Sequence, residues 1–209
     1  MVIDLHVHTI PLSQCSEMEP TEAIEEANQI GLDGVCFTEH NKIWDAEAIA
    51  ALRKQYNFLV LRGIEIDTIE GHVVAFGIYQ NFSGVIPIKE LRDSFSSGES
   101  ILIATHPFRG FLVFGSTDLG LTVEQGSQKA IFRSVDAVEA YSGRMTDQEI
   151  ELSLEVSKGL NLRIVGGSDA HRKREIGRCV TTFENDIHDE TELIRELRAG
   201  RFTAGYFRR

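Results

Sequence analysis

"DLHVHT", residues 4–9, places His6 and His8 two residues apart within the apolar run "VIDLHVH" (2–8). In an extended strand, residues i and i+2 point to the same face, so both imidazoles leave the strand in one direction and can grip one ion. The rest of the chain repeats this opening unit, a short apolar strand ending in polar side chains. "PTEAIEEANQIG" follows, with Pro20 suited to a first helical turn, an apolar stripe of Ala23, Ile24, Ala27 and Ile30, and Gly31 to close the helix. "GVCFTEH" (34–40) is the next strand, an amphipathic segment near 45–55 the next helix, and "NFLVLRGIEI" (57–66) runs into "GHVVAFGI" (71–78) across a short polar turn.

Strand and helix then alternate again. "IPIKELRDSF", "SILIATH" (100–106) and "VDAVEAYSG" (135–143) lead to a helix whose "TDQE" start sets Thr146 and Glu149 for a capping box. "LRIVGGSDAH" (162–171), "GRCVTTF" and a helix with Leu193, Ile194 and Leu197 complete the series. Such alternation predicts a mostly parallel α/β sheet or barrel. The 209 residues suit one domain, 1–209.

In parallel α/β folds the strand C-termini share one rim, where sites are built. His6 and His8, Glu39 and His40, Glu65, His106, and Asp169 with His171 all end apolar runs. Five histidines and several carboxylates in one mouth would desolvate or repel one another without cations, and they are the ligands of Mn, Fe and Zn. The residues thus predict a metal centre.

Composition excludes other classes. A formal charge of -11 disfavours an extended nucleic-acid surface, and the expected partner is a small phosphorylated substrate or a short oligonucleotide. Cys15, Cys36 and Cys179 are widely spaced and odd in number, without CxxC, which points to a reducing, cytoplasmic setting instead of a disulfide frame. No apolar run approaches a membrane span, no leader pattern opens the chain, and no GxSxG offers a serine nucleophile. Oligomeric state is not encoded legibly.

The order HxH, TEH, GIE, H, THP, SDAH resembles the PHP (polymerase and histidinol phosphatase) family of metal-dependent phosphoesterases, and it spans nearly the whole chain. The resemblance implies a distorted seven-stranded (β/α) barrel of PHP type with two or three divalent ions. It implies one ion on His6, His8, Glu65 and Asp169, a second on Glu65, His72 and His106, and a third on His40 and His171. Glu65, Asp169 and His171 are expected to carry catalysis. His72, which opens a strand, is promoted by the family pattern alone. Relatives usually add an aspartate or histidine from the loop after HxHT; here that loop reads "IPLSQCS", with Gln14 or Cys15 where this third-metal ligand is expected. A thiolate would favour zinc, and an amide would weaken the site.

Chemically, two ions a few Å apart turn a shared water into hydroxide near neutral pH, and this bridging hydroxide would attack a phosphate monoester or a nucleotide phosphodiester. Arg109 ("HPFRG"), Arg144 ("YSGR") and Arg172 ("DAHR") follow strand ends and are expected to bind the phosphate. Phe108, Phe111 and Phe114, in the long 107–130 connection, recur every third residue as a core stripe or a lid. Two other readings stand beside this one. An amidohydrolase-type metal hydrolase also begins with HxH but commonly uses a metal-bridging lysine at a strand tip, and a non-catalytic metal-binding module would have lost several ligands.

Overall fold

The structure is a computed structural model that describes residues 1–95, 98–110 and 120–208. Nine strands form one sheet: β1 (Val2–Val7), β2 (Gly34–His40), β3 (Leu59–Thr68), β4 (Gly71–Phe76), β5 (Ile101–Ala104), β6 (Ala137–Ser142), β7 (Arg163–Gly167), β8 (Cys179–Phe183) and β9 (Phe202–Tyr206). Their order is β7-β6-β5-β4-β3-β2-β1-β8-β9. Among the described residues six α-helices join them: α1 (Pro20–Gln29), α2 (Ala46–Tyr56), α3 (Ile88–Ser94), α4 (Val123–Ser127), α5 (Asp147–Gly159) and α6 (Glu190–Ala199).

Among the described residues the sheet has nine strands where the resemblance implied seven. Strand β9, "FTAGY", which none of the segments read in the sequence covers, pairs antiparallel with β8 along its whole length. Its residues are half-buried or exposed, so it lacks the apolar run by which the other strands are recognised. Only β4 and β8 run against the rest, because β3–β4, β4–β5, β1–β8 and β8–β9 are the antiparallel pairs.

The sheet curls into a nearly closed barrel. Both faces of β1 are buried: Ile3, Leu5 and Val7 are apolar, while Asp4, His6 and His8 alternate with them. The ends of the curl meet between β7 and β8, where Thr181 Oγ1 accepts from the Gly166 N–H and donates to the Gly166 carbonyl, both at 2.9 Å. Glycine is required at this approach. A Cβ on Gly166 would lie 2.4 Å from the Val180 carbonyl oxygen, and one on Gly167 would lie 2.6 Å from His6 Cβ. Beyond β7, Val7 bridges to Ala170, which brings the "SDAH" tip beside the first strand.

Local signals set the helices as expected. Pro20 opens α1, Thr146 and Glu149 form the capping box of α5, and Asp45 caps α2 through the N–H groups of Glu47 and Ala48. Leu193, Ile194 and Leu197 of α6 pack with Ile3, Leu5, Leu61, Phe76 and Val165 in one apolar cluster. Among the described residues no helix is long and apolar enough to cross a membrane.

Candidate metal centre

The strand tips bring the histidines and carboxylates together. His6 Nε2 and His8 Nε2 are 3.0 Å apart. Glu65 Oε2 lies 3.5 and 3.2 Å from them, and Asp169 Oδ1 lies 3.6 and 3.4 Å from them. His40 Nδ1 lies 3.1 Å from Glu65 Oε2, and His72 Nδ1 and His106 Nε2 each lie 3.1 Å from Glu65 Oε1. His171 lies beside His8 with the rings tilted and their centroids 4.5 Å apart. Among the described residues four donor groups could each hold an ion: His6–His8–Asp169, His6–Glu65–His106, His8–His40–His171 and His40–Asp67–His72.

The backbone is bent to deliver these side chains. His106 (φ 32°) and Asp169 (φ 52°) sit past the ends of β5 and β7 in the left-handed region, where a non-glycine residue is strained. Asn41, just past β2, shares this conformation at φ 54°. The reversal of β4 explains His72. A strand running against its neighbours has its first residues on the rim where theirs end, so His72 pairs across from Asp67 and reaches the mouth.

Each inner imidazole is oriented from behind. His6 Nδ1 lies 2.7 Å from Glu139 Oε2, and His8 Nδ1 lies 3.1 Å from Ser13 Oγ. With those nitrogens carrying the protons, the two Nε2 lone pairs face each other at 3.0 Å, an arrangement that a cation between them stabilises. Glu65 Oε2 is buried and has no hydrogen-bond partner, although three histidine nitrogens surround it. The donor set therefore fits a divalent ion.

The electrostatics agree. Burial alone would lower the His6 pKa, but the charges of Glu139, Glu65 and Asp169 outweigh it and hold the ring well above its ordinary value. Burial likewise opposes ionisation of Glu65, yet His6 and the hydrogen bond from His106 keep that carboxyl well below the usual range. The field at the centre thus favours positive charge. His171, at the edge, is pushed down to about 4 by burial and by His8.

The arginines differ. Arg109 donates to Asp169 Oδ2, and its segment is held where the Gly110 N–H donates to Glu149 at the start of α5. Arg144 Nη1 lies 3.0 Å from His171 Nδ1 at the mouth. Arg172 instead pairs with Glu17 on the surface at 2.6 Å, so the structure does not bring it to the centre with the other two. Gln14 and Cys15 are exposed and belong to none of the four donor groups, whereas Ser13 from the same loop touches His8 and the His40 N–H.

Ser13, Asp67 and Glu139 escaped the sequence reading. Asp67 lies two positions after Glu65 on one strand, so the period-two argument applied to His6 and His8 would have found it. Glu139 is a lone acid inside the apolar run of β6, and it is buried. Cys36 and Cys179 are buried thiols whose pKa values burial pushes up. Phe108 packs into the core beside Phe132, with ring centroids 5.9 Å apart, and Phe111 and Phe114 lie outside the described residues.

Residues 148–202 match the family model described as PHP-associated. Over 95% of this chain and 96% of its own, a candidate metal-dependent phosphoesterase from Bifidobacterium adolescentis superposes with a TM-score of 0.64 at 15% identity. A two-domain protein from Bacteroides vulgatus, containing a predicted PHP-like metal-dependent phosphoesterase, gives 0.71 at 17% identity over 99% of this chain and 64% of its own. An amidohydrolase from Chromobacterium violaceum, solved with sulfate and no metal, gives 0.62 at 16% identity over 96% and 97%. The chain thus resembles PHP proteins in the segment at residues 148–202 and shares its fold with PHP-like structures.

Proposed function

We propose that the protein is a metal-dependent hydrolase of phosphoric esters, acting on a phosphate monoester or on the phosphodiester of a nucleotide or short oligonucleotide. The observation that carries this reading is the inner donor set. Measured from the nitrogens of His6 and His8, its contacts span 3.0 to 3.6 Å, and donors about 2.0–2.1 Å from one tetrahedral ion lie about 3.3 Å apart. When bound, such an ion supplies Lewis acidity and makes water a nucleophile near neutral pH.

The chain's own residues do the rest. Glu139 and Ser13 fix the rings of His6 and His8, so their Nε2 atoms stay aimed at one point. Glu65 and Asp169 counter the positive charge. Arg109 and Arg144 stand at the mouth, where a guanidinium fork suits the anionic oxygens of an ester. A cavity of about 210 Å³ lined by His72, His106, Arg109 and Lys129 opens beside the cluster, room for a compact group instead of a folded nucleic acid.

The test is turnover of p-nitrophenyl phosphate and bis(p-nitrophenyl) phosphate by metal-stripped protein before and after Mn addition. Metal-dependent release from either ester supports the reading, and the preferred ester distinguishes monoester from diester. A second reading, amide hydrolysis, is favoured by the likeness to the amidohydrolase structure. Turnover of a p-nitroanilide with neither ester cleaved would replace the first reading by the second.

A further inference from the structure

Thr191, Ile194, Arg195 and Arg198 of α6 stand at positions i, i+3, i+4 and i+7, which puts them on one side of the helix. Beside this stripe lies a cavity of about 640 Å³, lined also by Tyr79 from the loop after β4 and Glu99 from the loop before β5. β4 pairs antiparallel with β5, with Phe76 opposite Ile101, so both loops leave the end of the barrel away from the rim that carries His72 and His106. The cavity is therefore remote from the metal centre.

Its charges are unevenly matched. Arg195 reaches Glu192 Oε1 and Glu196 Oε1 only at 3.3 and 3.4 Å. Both carboxylates have closer partners: Arg201 and Asn185 hold Glu196 at 2.7 to 2.9 Å, and His188 holds Glu192 at 2.9 and 3.0 Å. Arg198 donates to the Ser100 carbonyl, has no carboxylate partner among the described residues, and leaves its Nε buried without a hydrogen-bond partner. Two guanidinium groups thus line the cavity against one acid, Glu99, in a chain whose formal charge is -11. The local surplus is one positive charge. The remaining walls are apolar or aromatic: Ile194 is buried, and the Tyr79 ring, 4.8 Å from the Arg62 guanidinium, is still 53% exposed. A cavity of about 300–1,000 Å³ with apolar walls and a few polar groups is the usual form of a small-molecule site.

We infer that this cavity binds a small organic monoanion with a flat apolar body, its carboxylate on Arg195 and Arg198 and its ring against Tyr79 and Ile194. The planar guanidinium fork matches a carboxylate, and the surplus of one charge matches a single negative group. The Thr191 hydroxyl supplies a further donor on the same side of the helix. Arg195 can turn to the ligand because Glu192 and Glu196 keep their closer partners. The inference does not depend on the hydrolase reading.

The experiment is calorimetric titration of the full chain with 1-naphthoate and with neutral 1-naphthalenemethanol, for the wild type, Arg195→Gln, Arg198→Gln and, at the rim, Arg109→Gln. One saturable naphthoate site is expected in the wild type. Arg195→Gln and Arg198→Gln should each bind naphthoate at least tenfold more weakly, Arg109→Gln should bind it unchanged, and the alcohol should bind the wild type at least tenfold more weakly than the acid. Thermal unfolding checks the fold of each variant, and the exposed Arg195 keeps the test decisive if Arg198→Gln does not fold. No saturable binding by the wild type, equal affinity in wild type and Arg195→Gln, equal affinity for acid and alcohol, or a loss confined to Arg109→Gln would each overturn the inference.

Discussion

His6 and Glu139, 133 residues apart in sequence, meet at 2.7 Å between Nδ1 and Oε2 with both side chains buried. The carboxylate fixes which nitrogen of His6 carries the proton and raises the basicity of the other. Such partners behind a ligating histidine typically change metal affinity by about 10–100-fold when lost. Glu139→Gln is therefore expected to weaken binding at the inner set by about that factor, read by competition with a chelator of known affinity. Unchanged affinity would show that His6 does not depend on Glu139.

The same contact requires Gly167. A Cβ there would lie 2.6 Å from His6 Cβ and 3.1 Å from Glu139 Oε2. Overpacking of this kind costs about 1–3 kcal/mol. Gly167→Ala should lower the denaturant midpoint accordingly and weaken metal binding, while Gly205→Ala on β9, which meets nothing within 4 Å, should change neither. Equal midpoints for the two variants would contradict this account of the closing strand.

Asp4 gives a pH dependence of definite sign. Its Oδ1 accepts from the Ser168 and His6 N–H groups and its Oδ2 from that of Gly177, but burial outweighs these bonds and raises its pKa from 3.8 to about 6. A carboxyl raised on folding contributes stability that is fully present below 3.8 and lost as pH rises through 6. The displacement corresponds to about 3 kcal/mol. In metal-free protein, the stability margin of wild type over Asp4→Asn should shrink by up to that amount between pH 4 and pH 7, measured by urea unfolding. A margin that grows over this interval would contradict the assignment.

Much of the architecture was legible because strands buried on both faces read as apolar runs and because helix starts carry their own chemistry at Pro20, Asp45 and Thr146. Orientation was less legible. "GHVVAFGI" reads the same whichever way the strand runs, so His72 looked misplaced until β4 proved to be reversed. β9 was invisible because its half-exposed "FTAGY" lacks apolar contrast. At the centre, the strand-tip rule reached the terminal residues but not Glu139, which lies mid-strand, and it also selected Arg172, whose place at a strand end did not reveal that Glu17 would hold it on the surface.

His6, His8, Glu65 and Asp169 are proposed to surround one divalent ion. The most direct measurement is anomalous X-ray scattering at the Mn absorption edge from crystals grown with Mn. A strong peak is expected among His6 Nε2, His8 Nε2, Glu65 Oε2 and Asp169 Oδ1. No peak within coordination distance of those four atoms, at saturating Mn, would contradict the account.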